Sequence, residues 1–143
     1  MLSKKIKYGY FILKNLQETN EDNKKKGKEA LKGIEVPYNL GLTILTELVN
    51  GNLIESEKGK KGGFYIRKKE ISLLELYKAL EYKKILKLED SKEEDSGYKD
   101  LTLRFNKALL NELEETKISI PERETWKNKI WYYQSVNQEK SVK

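Results

Sequence analysis

The side chains that could do chemistry in this sequence are carboxylates, hydroxyls and amines, because the chain contains no cysteine and no histidine. This composition excludes disulfides, thiolate nucleophiles, cysteine-ligated zinc or iron–sulfur sites and the serine–histidine–aspartate triad. Carboxylate chemistry remains, with or without a hard metal ion. One carboxylate cluster comprises Glu89, Asp90, Glu93, Glu94 and Asp95. It lacks the ligand spacing and central glycine of a calcium-binding loop, so we expect a flexible acidic loop, no metal site and no cofactor.

The positive charge of the chain is unevenly distributed. Among 143 residues, 29 are lysine or arginine and 23 are aspartate or glutamate, which gives a net charge of +6. Residues 1–87 carry 19 basic and 11 acidic side chains, a balance of +8, whereas residues 88–143 have a balance of −2. This asymmetry favours a nucleic-acid-binding first part and a different role for the second. A lysine-rich coding bias is the alternative explanation.

The basic part has the hydrophobic pattern of a helix-turn-helix. Residues 3–18 predict a first helix with Ser3 as its N-cap, and residues 28–33 predict a short second helix. Pro37 is well suited to begin a third helix, which ends near Gly51. The buried face predicted for this third helix is Leu40, Ile44, Leu45, Leu48 and Val49.

A β-hairpin is predicted directly after this third helix. Residues 52–58 and 64–67 are rich in β-branched and aromatic side chains, and a glycine-rich turn separates them. Lys58, Lys60 and Lys61 put positive charge on the tip of the turn, where it can approach a phosphate backbone. A helix-turn-helix followed by such a hairpin predicts a winged helix-turn-helix domain over residues 1–82.

The second part is predicted to carry a dimerisation helix. After a helix over residues 72–82, an acidic connecting loop over residues 83–99 leads to a long amphipathic helix over residues 100–117. The wide apolar stripe of that helix predicts packing on a second copy, through Leu101, Phe105, Ala108, Leu109 and Leu113.

Residues 118–143 are predicted to form a C-terminal helix and tail. The apolar positions of that helix are Trp126, Ile130 and Tyr133.

The residues expected to contact DNA lie on the outward face of the third helix and in the basic segments around it. Asn39 is suited to bidentate pairing with adenine, and Tyr38 and Leu42 offer an apolar surface for thymine methyl groups. The lysines are expected to supply affinity and salt dependence more than base specificity. The full predicted set is Ser3, Lys5, Lys7, Tyr8, Lys28, Pro37, Tyr38, Asn39, Leu42, Thr43, Lys58, Lys60 and Lys61.

Several segments resemble the Rrf2 family of bacterial winged helix-turn-helix transcription regulators. VPYNLGLTILTEL at residues 36–48 with GNLIES at 51–56 is similar to the helix-turn-helix core of that family, and KGKKGGF at 58–64 is similar to its wing. ISLLELYKALE at 71–81 and LSKKIKY at 2–8 resemble the segment after the wing and the start of the first helix. The resemblance covers about residues 2–82 in register.

The resemblance implies a mainly α fold with a small β-hairpin, a long C-terminal dimerisation helix and binding to double-stranded DNA as a homodimer. Many members hold an iron–sulfur cluster through three cysteines in the loop before the dimerisation helix. The corresponding residues here, roughly 87–99, contain none. The chain therefore resembles a cluster-free branch of the family.

The sequence thus favours a homodimeric repressor of a pseudo-palindromic operator, not an enzyme, in the cytoplasm and without a membrane segment. Its inducing signal stays open between an unidentified small ligand and a partner protein. One alternative is a winged-helix module that binds a partner protein. A metal-dependent nuclease is disfavoured, because the clustered carboxylates lie outside the basic segments.

Overall fold

The computed structural model describes residues 2–90 and 92–119. The expected mainly α-helical fold with a small antiparallel hairpin is confirmed. No helix of the described part is long and apolar enough to cross a bilayer. In chain order the elements are α1 (Lys4–Asn15), α2 (Gly27–Ala30), α3 (Tyr38–Asn50), β1 (Ile54–Glu57), β2 (Gly63–Ile66), β3 (Glu70–Ser72), α4 (Leu73–Leu80), α5 (Tyr82–Glu89), α6 (Ser96–Glu115) and β4 (Lys117–Ser119).

The core lies where α1, α3 and α4 pack against one another. Ile12 and Leu13 of α1, Ile44 and Leu48 of α3, and Leu76 of α4 are fully buried there. Apolar side chains spaced three or four residues apart fall on one face of a helix, so each helix turns one face inward. Burial of these side chains fixes the position of α3, the predicted recognition helix, relative to α1.

The predicted buried face of α3 is correct at Ile44, Leu45 and Leu48 and wrong at Leu40, which is 39% exposed. The face is centred on Gly41, where an added Cβ would lie only 2.6 Å from Leu31 Cδ1. Because Leu31 packs onto this glycine, Leu40 turns toward the surface.

The wing hairpin is confirmed, with β1 and β2 antiparallel and Ile54 opposite Ile66. Thr19 joins α1 to the hairpin through its buried hydroxyl. Its Oγ1 donates to the Leu16 carbonyl at 2.5 Å and accepts from the Ile66 amide at 2.8 Å. The hairpin is therefore attached to the helical core.

The prediction of an acidic loop over residues 83–99 is wrong for most of its length. Residues 82–89 form α5, with Ile85 buried against the core, and α6 already begins at Ser96. Asp95 caps α6, because its Oδ1 accepts from the Tyr98 amide at 2.8 Å. Asp95 is therefore the N-cap of a helix and not part of a solvated acidic loop.

The long helix ends at Glu115 instead of residue 117, because residues 117–119 form a strand. This strand, β4, pairs antiparallel with β3, with Ile118 opposite Ile71. The Leu73 amide also donates to the Thr116 carbonyl at 2.8 Å. The end of α6 is thereby fixed to the start of α4. The helix predicted around Trp126, Ile130 and Tyr133 lies outside the described residues.

Candidate nucleic-acid interface

The outward face of α3 is polar and exposed. Asn39, Thr43 and Thr46 follow one another along it. The Thr43 hydroxyl donates to the Asn39 carbonyl and the Thr46 hydroxyl donates to the Leu42 carbonyl, each at 3.0 Å. These hydroxyl protons are used within the helix, so the two threonines present hydroxyl lone pairs and methyl groups. Asn39 is the residue of this face whose side chain offers a donor and an acceptor together.

One flank of this face is apolar. Tyr38 is 51% exposed, and Leu42, predicted to face outward, is half-buried against the core. An added Cβ at Gly27 would lie 3.3 Å from Leu42 Cδ2 and 3.8 Å from the Tyr38 hydroxyl. The start of α2 therefore packs on this flank, and Leu42 contributes less surface than the sequence suggested. Pro37 is exposed and forms the N-cap of α3.

Lys5, a predicted phosphate contact, is engaged within the protein. Its Nζ lies 2.8 Å from Glu47 Oε2 and 3.0 Å from Glu47 Oε1. The pair joins α1 to α3 beside the outward face. No local sequence signal marks Glu47 for this role, because its partner is distant in sequence.

Ser3, a predicted neutral phosphate contact, is engaged in a similar way. Its hydroxyl caps α1 by accepting from the Ile6 amide at 3.2 Å and donates to Glu81 Oε1 at 2.5 Å. Glu81 Oε2 in turn lies 2.9 Å from Lys84 Nζ. The hydrogen bond from Ser3 and the Lys84 ammonium hold the pKa of Glu81 below its usual value.

Lys7 is exposed, whereas Tyr8 is half-buried against the core, and both line one depression. This depression, of about 420 Å³, lies between α1 and residues 33–35, and Lys4 also lines it. Lys28 is exposed on α2. These side chains give α1 and α2 a basic surface beside α3.

The wing turn is shaped by close backbone contacts. An added Cβ at Gly62 would lie 2.1 Å from the Glu57 carbonyl oxygen, and one at Gly63 would lie 2.7 Å from the Lys25 carbonyl oxygen. No side chain fits at either position, so the turn requires glycine. Lys58, Lys60 and Lys61 are all exposed on the turn or next to it, as expected for phosphate contacts.

The loop between α1 and α2 is attached to the wing through three consecutive lysines. The Lys25 amide donates to the Phe64 carbonyl at 2.9 Å, and the Phe64 amide donates back to the Lys25 carbonyl at 2.7 Å. Lys24 Nζ lies 2.8 Å from Glu57 Oε2, and Lys26 Nζ donates to the Gly59 carbonyl at 2.7 Å. The ion pair with Glu57 raises the pKa of Lys24. Lys24, Lys25 and Lys26 therefore hold the wing in place.

Of the predicted dimerisation face of α6, four side chains are exposed and one is buried within the chain. Leu101, Phe105 and Leu109 are 64%, 73% and 40% exposed, and Ala108 is exposed beside them. Leu113 is 8% exposed and belongs to the core of the chain itself. Leu113 therefore anchors α6 to α4 and α5, while the other four side chains form an uncovered apolar face on the described chain.

The residues present do not fit an iron–sulfur cluster, which is held mainly by cysteine thiolates. The chain has no cysteine and no histidine. Within residues 2–90 and 92–119, no three acidic side chains come close enough together to hold a metal ion.

The comparison with protein-family models matches residues 2–120 to Rrf2, described as an iron-dependent transcriptional regulator. Among solved structures, the global cysteine regulator CymR of B. subtilis has a TM-score of 0.63 at 21% identity, covering 82% of this chain and 92% of that one. CymR of Staphylococcus aureus has a TM-score of 0.58 at 26% identity, covering 80% and 92%. IscR of T. potens has a TM-score of 0.61 at 18% identity, covering 82% of each chain. The comparison with curated proteins gave no match.

Proposed function

This chain belongs to the Rrf2 family of transcription regulators, and from that membership we propose that it is a homodimeric repressor of a pseudo-palindromic operator. The observation that carries the proposal is the polar outward face of α3, placed next to an attached basic wing. A recognition helix in the major groove with a lysine-bearing hairpin along the adjacent backbone is a standard arrangement for reading duplex DNA. The signal that controls DNA binding by this protein does not depend on an iron–sulfur cluster, since the chain has no thiolate ligands.

Within this proposal the contacts divide by chemistry. Asn39 and Thr43 read base edges, and Tyr38, Leu42 and Pro37 contact the groove wall. Lys7, Lys28, Lys58, Lys60 and Lys61 neutralise phosphates, and Tyr8 lies beside Lys7 on the same surface. Ser3 and Lys5 support the position of α1, because their side chains are bound to Glu81 and Glu47.

The apolar face of α6 supports the homodimer. Leu101, Phe105, Ala108 and Leu109 are exposed on one helix. Burial of apolar surface of this kind against a second copy contributes about 25 cal/mol per Å². A two-fold axis would place two α3 helices in successive major grooves, about 34–36 Å apart.

The proposal is tested by DNA binding at two salt concentrations. The full-length protein is titrated against duplex DNA from upstream of its own gene and against random duplex of equal length. We expect tighter binding to the upstream duplex, with an affinity that falls as salt rises. Replacement of Lys58, Lys60 and Lys61 by alanine is expected to lower the affinity for both duplexes.

Equal affinity for both duplexes, or no salt dependence, would contradict an operator reader and favour a protein-binding module. Cleavage of DNA on addition of Mg²⁺ would point to a nuclease. Repression itself is tested by a reporter placed behind the bound duplex.

A further inference from the structure

A cavity of about 490 Å³ lies between α4, α5 and α6, and Leu2, which precedes α1, is also among its lining residues. Its wall is mostly apolar, with Leu73 of α4, Ile85 and Leu88 of α5, and Leu109 and Leu113 of α6 among the lining residues. Small-molecule sites in proteins are typically clefts of about 300–1,000 Å³ with apolar walls and a few polar groups. The volume and the lining therefore suit a small organic molecule with an apolar body.

The charged groups of the cavity narrow the choice of ligand. Among its lining residues, Lys84 and Glu112 alone carry charge, one of each sign. A simple fatty acid or amine would satisfy one of these groups and be repelled by the other. A zwitterion with an apolar body satisfies both.

Lys84 also connects the cavity to the DNA-binding part. Its Nζ is 2.9 Å from Glu81 Oε2, and Glu81 Oε1 accepts from the hydroxyl of Ser3. Ser3 caps α1, the helix that carries Lys4 and Lys7. A ligand carboxylate on Lys84 competes with Glu81 for the same ammonium, so Glu81, the acceptor for Ser3, loses the ion pair that positions it.

We propose that this cavity binds a free amino acid with a large apolar side chain, its carboxylate on Lys84 and its ammonium on Glu112, and that binding lowers the affinity for DNA. Binding of the amino acid in the cavity does not depend on the proposed function, whereas the effect of the ligand on DNA affinity rests on it. Ligand binding measured without DNA therefore tests the cavity alone, so its failure is distinguished from failure of the proposed DNA-binding function.

The binding test is calorimetric titration of the full-length protein with leucine and phenylalanine. We expect saturation at one ligand per chain. N-acetyl-leucine, which lacks the ammonium, and leucinamide, which lacks the carboxylate, are expected to bind at least ten-fold more weakly. No saturation by either amino acid at millimolar concentration overturns the proposal, as does equal binding of all four compounds.

Matched variants test the assigned contacts. Lys84→Met and Glu112→Gln are expected to weaken leucine binding at least ten-fold. Lys83→Met and Glu115→Gln, exposed neighbours on the same helices that do not line the cavity, are expected to leave it unchanged. Circular dichroism melting confirms that each variant folds. The proposal is overturned if Lys83→Met weakens leucine binding as much as Lys84→Met does, or if Glu115→Gln weakens it as much as Glu112→Gln does.

Two further readouts complete the test. Saturating leucine is expected to lower affinity for the upstream duplex at least three-fold in the native protein, and Glu112→Gln is expected to need at least ten-fold more leucine for the same effect. Replacement of Ile85 by Ala, on the cavity wall, should change ligand affinity without changing the molecular mass in solution. If cavity variants instead change the oligomeric state and bind no ligand, a second copy occupies the cavity and the proposal is overturned.

Discussion

Lys26 Nζ donates a hydrogen bond to the Gly59 carbonyl oxygen at 2.7 Å, which links the start of α2 to the tip of the wing. The same short segment lies beside Tyr38 and Leu42 of α3, since an added Cβ at Gly27 would be within 4 Å of both side chains. The candidate recognition helix and the wing are therefore positioned by a common element. A lysine that appears in the sequence as surface charge acts here as a positioning residue.

Lys26→Met is expected to weaken DNA binding without reducing its salt dependence. The lost contact is to a backbone carbonyl, so wing geometry changes while the number of neutralised phosphates stays the same. Lys60→Met, on the exposed turn, is expected to reduce the slope of log affinity against log salt by about 0.9. Fluorescence anisotropy at four salt concentrations measures both slopes. A similar drop in slope for the two variants would assign Lys26 to a phosphate.

Asn39→Ala is expected to relax sequence preference more than it lowers affinity for random duplex. A bidentate contact to adenine contributes about 1–3 kcal/mol of discrimination. Competition with single-base-pair variants of the bound duplex measures this loss. Asn50→Ala, exposed at the other end of α3, serves as the control and should leave the preference intact.

Phe105→Glu is expected to halve the molecular mass of the protein at micromolar concentration. The ring is 73% exposed on α6, and a carboxylate in a buried apolar interface is strongly unfavourable. Asn111→Glu adds the same charge at an exposed position outside the apolar face and should preserve the mass. Light scattering after size exclusion provides the measurement. A native mass of one chain would rule out the homodimer before any variant is made.

Thr19→Val is expected to lower the free energy of unfolding by about 1–3 kcal/mol. The substitution leaves the buried Ile66 amide without the acceptor that Thr19 Oγ1 provides at 2.8 Å. Thr102→Val removes only a hydroxyl that donates to a helix carbonyl on α6 and should change stability by less than about 0.5 kcal/mol. Urea unfolding followed by circular dichroism compares the two. Equal losses would show that the Thr19 hydroxyl contributes no special stability.

Glu81→Gln is expected to be less stable than the native protein at pH 7 and to approach it in acid. The folded-state pKa of Glu81 is lowered, first by the hydrogen bond from Ser3. Its contribution is therefore fully present above the unfolded pKa and is lost as pH falls through the lower folded value. Urea midpoints at pH 7, 5, 4 and 3 measure the difference between the two proteins. A difference that is constant with pH would contradict the shift.

Local sequence signals were sufficient where the structure depends on local physics. The capping of α1 by Ser3, the inward face of α3 at Ile44 and Leu48, and the hairpin were all predicted correctly. Each follows from a hydrogen bond three residues away, a helical repeat or a turn rich in glycine.

The second part was less predictable because its signals are long-range or mixed. In α5 only Ile85 is fully buried, and charged neighbours obscure its periodicity. The strands β3 and β4 have three residues each and pair across three helices, so neither has a local signature. Leu113 continues the apolar repeat of Leu101 and Phe105, yet packs inside the chain. The periodicity of apolar residues does not show whether that face of the helix packs within the chain or against a second copy.

The sequence by itself determined the chemistry of this protein: no thiolate and no imidazole, a basic first part, and a helix-turn-helix with a glycine-rich wing. The tertiary structure decided which lysines are engaged within the protein and which stay at the surface. Lys5, Lys24, Lys25 and Lys26 bind protein oxygens, whereas Lys58, Lys60 and Lys61 are exposed. The reason is physical. Charge is a property of the residue, but whether it is neutralised depends on the groups that folding brings within a few ångströms.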